Sequence, residues 1–533
     1  MVRSAHSSSA SDAPGTAAGG GTRLAPLLGA LSLATDLGVG LPPESALRIA
    51  VCAARVAEAL GLDAPARADV YYAALLRYLG CTGYAHEEAA FSGGDDLSLT
   101  PALELADPVD LRQVAGAAAR KLARGQPLGV RAGAVIRFLS DPRGYAKLAR
   151  AHCDQAVALA DQLGVGPAVA RALGEMYERH DGRGKPAGLA GAQISLPARV
   201  LVLAQVVETH LRLAGPTATL AVARAHDGQQ LDPEVAAAFL DGARAIVDEL
   251  AAPSVWDVFL AAEPAPARVL APASLDDVAL AFARYVDLKS PFTLGHSTGV
   301  AELAVGAAAT AGLGAPEAAL LRRAAWLHDL GRASVPNGIW DKPGPLNAAE
   351  RERVRLHAYH GERVLSQAPE LAALAALVGR HHERADGSGY HRGISGAALA
   401  RAAQILAACD VYRGMTEARA HRPARTTEEA AAALADEARR GSLEREAVAA
   451  VLAAAGHRRT RSDRRAELPD GLTEREVEVL RLLARGLSNK EVGRALHISA
   501  VTAKNHVAHI YEKSGVATRA AAALYAVTRG LVD

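Results

Sequence analysis

Adjacent His328-Asp329 and His381-His382 are the residues whose types and spacing point most directly to chemistry. Neighbouring positions on a helix point about 100° apart, so each pair can serve two metal ions, or one metal and one substrate oxygen. Imidazole with carboxylate suits borderline transition metals such as iron, manganese or zinc. Two such ions lower the pKa of bound water and polarise a phosphoryl oxygen during in-line displacement. Seven of the 18 histidines fall between His296 and His391, His296 and His357 among them, and Asp410 follows the apolar run Ile405 to Cys409. A lone histidine on a helix is ordinarily a satisfied core or surface residue. Adjacent pairs at helix ends are harder to dismiss.

The elements that must position these residues are legible nearby. A helix opening with Pro316 in its first turn and closing at Gly331 ends on His328-Asp329. His357 lies on a helix begun by the capping box Asn347 to Glu350. His381-His382 ends another helix, just before the turn Asp386-Gly387-Ser388-Gly389, and the apolar run before Asp410 predicts a core-facing helix.

Composition bounds the rest. The chain has 533 residues, about three domains by a length prior. Half its residues are hydrophobic and only 4% aromatic, with abundant Ala, Leu, Arg and Glu, which favours helix over sheet. The formal net charge of +1 leaves any nucleic-acid affinity to local patches. Cys52, Cys81, Cys153 and Cys409 form no CxxC pair, which argues against disulfides or a zinc knuckle and suits a reducing cytoplasm. No apolar run approaches the roughly 20 residues of a membrane span, so no membrane partner is expected. Residues 1–22, rich in Ser, Ala and Gly, read as a disordered tail without a signal peptide.

An internal repeat organises the chain. Gly61 to Gly80 aligns without gaps on Gly312 to Gly331, and Tyr177 to Gly191 aligns on His382 to Gly396. Residues 23–263 are thus expected to form a second copy of 264–456, separated by the helix-breaking Glu263-Pro264-Ala265-Pro266. The first copy holds about 46 extra residues, the difference between the two alignment offsets, roughly from Thr82 to Arg150 and including the loop-like FSGGDDLS. Residues 457–470, with five arginines, predict a mobile basic linker.

Residues 290–425 resemble the HD-GYP family of HD-domain metal-dependent phosphohydrolases. The motifs occur in order: Gly295-His-Ser297, His328-Asp-Leu-Gly331, Lys342-Pro-Gly-Pro-Leu346, His357 to Gly361, His381-His-Glu to Tyr390, and Asp410-Val-Tyr412. The resemblance implies two metals held by His296, His328, Asp329, His357, His381, His382 and Asp410, with Asp329 bridging. It also implies hydrolysis of cyclic di-GMP. Arg332 takes the place of the family's lysine after H-D-x-G, a planar fork in place of a compact ammonium. His391 stands where the family has the proline of G-Y-P, and Phe292 where some members carry a glutamate for a third metal. Asp329 and Arg332 are the expected catalytic residues. A rival reading keeps nucleotide binding without efficient turnover, or turnover of another nucleotide.

Across the repeat the ligands vanish from the first copy. Ser45 stands opposite His296, Arg77-Tyr78 opposite His328-Asp329, Met176-Tyr177 opposite His381-His382, and Gln205 opposite Asp410. His152, opposite His357, and Asp181, opposite Asp386, keep their type. One imidazole cannot hold a metal pair, so this copy is expected to be metal-free. It would be an intramolecular packing partner or, alternatively, a nucleotide pocket without chemistry.

Residues 471–533 predict four short helices with capping boxes at Thr473 to Glu476 and Ser488 to Glu491, and Ser499 capping a third helix. This segment resembles the LuxR-type C-terminal helix-turn-helix domain, through L-T-E-R-E-V-E-V-L, G-L-S-N-K-E-V and the run from Leu496 to Val507. The resemblance implies double-stranded DNA as partner, with Thr502, Lys504 and Asn505 in the major groove, His509 a turn further on, and Lys490 on the backbone. A homodimer on a palindromic site would follow. Glu474, Glu476 and Glu478 read as caps on a solvated face. The expected fold is all-α: two tandem HD-type helical domains, then a four-helix helix-turn-helix domain.

Overall fold

In the computed structural model, the residues described are 21–122, 127–140, 144–271, 274–457, 469–516, 518–529 and 531. The basic linker and the N-terminal tail fall largely outside them. Among them the only sheet is a two-residue antiparallel pair, Thr22–Arg23 with Val269–Leu270. Thr22 therefore belongs to the folded body and not to the tail. The chain divides into two units, 1–454 and 455–533.

The first unit contains both copies packed together. Its opening helix, Leu24–Gly38, is buried almost all round, as a helix apolar on every face must be. It packs on its own copy and also on the turn Leu330–Ser334 and the helix Ala348–Leu365 of the other. The repeat survives in fine detail. Asp36 accepts from the Ala46 amide and Asp287 from the Ser297 amide, each fixing the start of the next helix. Glu178 accepts from the amides of Ala187 and Leu189, and Glu383 from those of Arg392 and Ile394. At Gly80 and Gly331 a Cβ would lie 1.9 Å from the carbonyl oxygen of His152 and His357, respectively. Both glycines are required by the same close approach of two backbones.

The additional segment of the first copy is more ordered than its Gly- and Asp-rich start suggests. It forms the helices Ala85–Ser92, Leu99–Leu103, Leu111–Lys121 and Leu128–Ser140. Its FSGGDDLS stretch is a joint between the copies. Asp96 is buried, pairs with the buried Lys289 and accepts from the Asn337 amide at 2.7 Å, while Gly94 accepts from the Gly338 amide at 2.8 Å.

The second unit is a small helical domain of Glu474–Ala484, Asn489–Ala495, Ala500–Ser514 and Arg519–Thr528. Thr473, Ser488 and Ser499 cap the first three. Val477, Leu480, Val492, Ala503 and Ile510 form its core.

Candidate active site

The expected ligands converge. His296 is the first residue of His296–Thr310, and His328-Asp329 directly follows Ala315–Leu327. His357 lies on Ala348–Leu365, whose Asn347–Glu350 capping box is formed. His381 and His382 come three and four residues beyond Ala372–Val378, past the end of that helix, and Asp410 projects from Arg401–Thr416.

Asp329 stands between two groups of imidazoles. Its Oδ1 is 3.4 Å from His357 Nε2 and 3.9 Å from His381 Nε2. Its Oδ2 is 3.7 Å from His296 Nε2 and 3.6 Å from His328 Nε2. Asp410 Oδ1 lies 3.3 Å from His296 Nε2 and 3.7 Å from His328 Nε2, and its Oδ2 reaches toward His382. Two sets thus offer converging ligand atoms, His296 with His328 and Asp329, and His357 with His381 and His382.

Backbone carbonyls dictate the tautomers. The Nδ1 atoms of His328, His357 and His381 face the carbonyls of Ala325, Val354 and Val378, three residues back, so each donates there and Nε2 carries a lone pair. The Nε2 atoms of His357 and His381 are nevertheless 3.1 Å apart. Two lone pairs at that distance repel unless a cation lies among them. Among the described residues His328 Nε2 is likewise buried without a hydrogen-bond partner. The donor set therefore fits divalent metals.

The charge pattern differs between the two groups, the rings of His296 and His328 being raised and those of His381 and His382 lowered. Burial, then the neighbouring His328 and His357, push His381 down to about 3, and burial with His381 and His357 holds His382 well below the usual range. Neutral imidazole is the ligating form. Burial opposes ionisation of Asp329, but Arg332 and the surrounding histidines hold its carboxyl far below the ordinary carboxylate value. Burial also disfavours charge on His296, yet Asp410, Glu417 and Asp329 outweigh it and raise the ring to about 9.

Sequence reasoning missed four neighbours. Glu417 Oε2 lies 2.7 Å from His296 Nδ1 and is itself held by Arg419 at 3.0 Å. Trp340 meets the His357 ring edge-on and carries the Arg332 guanidinium 3.8 Å above its ring centre. Tyr390 stacks on His382. Only the Tyr390 signature was visible in a motif. Arg332 Nη1 donates to Asp329 Oδ2 at 3.0 Å. The side chains of His382, Asp410 and Arg332 retain 14–18% exposure while the other ligands have 6% or less. Access is from their side.

In the second unit Lys490, Thr502, Lys504, Asn505 and His509 are all exposed. Thr502 is tied to Ser499, and His509 Nδ1 lies 3.9 Å from Glu476. Glu476 caps its helix as expected, but it is buried and bonded to Lys513 at 2.8 Å, so it is not part of a solvated face.

Five imidazoles and two carboxylates gathered between helices define the class: a helical metal-dependent hydrolase. Residues 145–235 and 281–446 match the HD domain family, and residues 470–526 match the bacterial regulatory proteins of the luxR family. The 3'3'-cGAMP-specific phosphodiesterase 3 of Vibrio cholerae is 30% identical over 414 residues, 77% of this chain and 90% of that protein. The crystal structure of a V. cholerae cyclic GMP-AMP-specific phosphodiesterase superposes with a TM-score of 0.57 at 26% identity, over 85% of this chain and 100% of that one. The cyclic di-GMP phosphodiesterase response regulator RpfG of Xanthomonas campestris is 38% identical over 136 residues, 25% of this chain and 35% of that protein. The chain belongs to the HD domain family, as a metal-dependent phosphodiesterase that also carries a LuxR-type helix-turn-helix domain.

Proposed function

We propose that the chain hydrolyses a guanine-containing 3',3'-cyclic dinucleotide and couples this to sequence-specific DNA binding and transcriptional control. The placement of Asp329 between two imidazole groups is the observation that carries the reading. His296, His328 and Asp410 would hold one divalent ion, and His357, His381 and His382 the other, with Asp329 shared. Iron, manganese and zinc all suit this donor set. When bound, the metals supply an acidified water and polarise the phosphoryl oxygens. Water oxygen bonds to phosphorus as one ester P–O bond breaks, and a proton passes to the leaving oxygen, giving a linear dinucleotide.

The chain's own residues orient and steer. Arg332, levelled against Trp340 and anchored on Asp329, presents its remaining donors to a phosphoryl oxygen at the open side of the site. Glu417 orients His296, and Tyr390 orients His382. The relative aligned across 77% of the chain is a 3'3'-cGAMP-specific phosphodiesterase, and a relative aligned over 136 residues is a cyclic di-GMP phosphodiesterase. Both substrates share the guanosine phosphodiester. In the second unit, Thr502, Lys504 and Asn505 would enter the major groove with His509 a turn beyond, and Lys490 would grip phosphate. Homodimer formation would match a palindromic site in the cytoplasm.

The test is product formation from 3'3'-cGAMP and cyclic di-GMP by Mn- or Fe-loaded full-length protein, beside Asp329→Ala, with metal analysis. Metal-dependent linear product is expected. Tight binding without product would leave a nucleotide sensor in place of an enzyme. For the DNA arm, Lys504→Ala on a site mapped for the unaltered protein should weaken binding by about 1–3 kcal/mol. Unchanged retention would refute the assignment.

A further inference from the structure

The first copy has an open cavity of about 450 Å³ where the second copy has its metal cluster. Arg77, opposite His328, lies at its base. Arg77 as a whole is 3% exposed. Its Nε donates to Gln205 Oε1 at 2.7 Å, and its carbon lies 4.5 Å above the Tyr177 ring. Gln205 and Tyr177 are themselves the residues opposite Asp410 and His382, and the Tyr177 hydroxyl meets His152 Nδ1 at 2.9 Å. A fixed organic cation thus occupies the region that the second copy devotes to metal ligands.

No carboxylate among the described residues neutralises that cation, which the Tyr177 and Tyr78 rings and the Gln205 amide face. Among the described residues Arg77 forms no ion pair, and its Nη1 is buried without a hydrogen-bond partner. The carboxylates around the cavity are engaged elsewhere: Asp107 with Arg179, Glu104 with Arg212, Glu178 with three backbone amides, and Glu88 with His152. A buried charge without a counter-charge is costly, and an anion relieves it. The cavity walls are largely apolar. Leu99, Leu103 and Phe138 come from the segment that has no counterpart in the second copy, Tyr145 from the helix Gly144–Leu163, and Val202 and Val206 from the helix Leu196–Ala225. Arg183 and Lys185 add positive charge to the lining. A volume of this size, with a largely apolar wall and a few polar groups, is that of a small-molecule site.

We propose that the first copy is a binding site for a small organic anion with an apolar body, its head group paired with Arg77. The additional helices form its apolar wall. No bond is made or broken there.

The test uses full-length protein and anilinonaphthalene sulfonate fluorescence, with decanoate as competitor and decanol as its uncharged counterpart. Decanoate should displace the dye saturably, decanol should be at least about tenfold weaker, and Arg77→Met should weaken decanoate by a similar factor. Val206→Trp, which narrows the cavity and leaves the Arg77 cation in place, should also weaken decanoate and serves if the Arg77 variant does not fold. Asp329→Ala should bind decanoate as the unaltered protein does, which separates this site from the metal cluster. Absence of saturable displacement, equal binding of decanol, or unchanged affinity in the folded variants would overturn the proposal.

Discussion

The two copies share a backbone scheme and differ in what they place at its centre. Asp36 and Asp287, Glu178 and Glu383, and Gly80 and Gly331 do the same structural work in each. Yet one centre gathers lone pairs and carboxylates, and the other gathers a guanidinium, an amide and a phenol. The architecture therefore depends on caps and close backbone approaches, and the chemistry on about six side chains that the scaffold does not need. Arginine is present in both. Arg332 is neutralised by Asp329, whereas Arg77 has Tyr78 beside it in sequence and no carboxylate partner among the described residues.

The comparison can be broken most directly at Asp329. Asp329→Ala should abolish metal-dependent phosphodiester hydrolysis and lower bound metal by more than one ion per chain, because the carboxylate faces both imidazole groups. Full metal occupancy in that variant, read by elemental analysis, would dissolve the bridging role. Next in size is the joint between the copies. Asp96→Ala leaves Lys289 buried without its partner and should cost about 3–5 kcal/mol in denaturant unfolding. A loss below 1 kcal/mol, on the scale of an exposed pair, would mean that the copies do not depend on this contact.

Glu417→Gln should weaken metal affinity or activity about 10–100-fold, since it removes the anion that orients His296. The first copy has no equivalent function to lose. The smallest effect sharpens the contrast: His152→Ala, the one retained imidazole, should leave metal content and turnover unchanged. It should reduce stability by about 1–3 kcal/mol through the loss of its Tyr177 contact. A fall in metal stoichiometry would show that the first copy ligates after all.

How much was legible can be argued residue by residue. His328-Asp329 and the capping boxes at Asn347, Thr473 and Ser488 are local patterns that lie where the sequence spacing predicts, whereas His381-His382 lie in the turn beyond the helix they are expected to end. The gapless repeat likewise exposed the missing ligands of the first copy. Glu417 was not legible, because it lies 121 residues from His296 and no motif joins them. Glu476 reads as a surface cap, and only the position of Lys513 explains its burial. FSGGDDLS has the composition of a free loop, but Asp96 finds Lys289 and Asn337 across the joint.

The sequence by itself determined the helical class, the repeat, the metal-ligating residue types and the four-helix end, since each rests on spacing over a few turns. Tertiary structure decided the division of Asp329 between two imidazole groups and the lone-pair directions set by Ala325, Val354 and Val378. It also decided the isolation of Arg77 beneath the added helices. These depend on where distant segments meet, and a buried charge or lone pair takes its meaning from the neighbours that replace water.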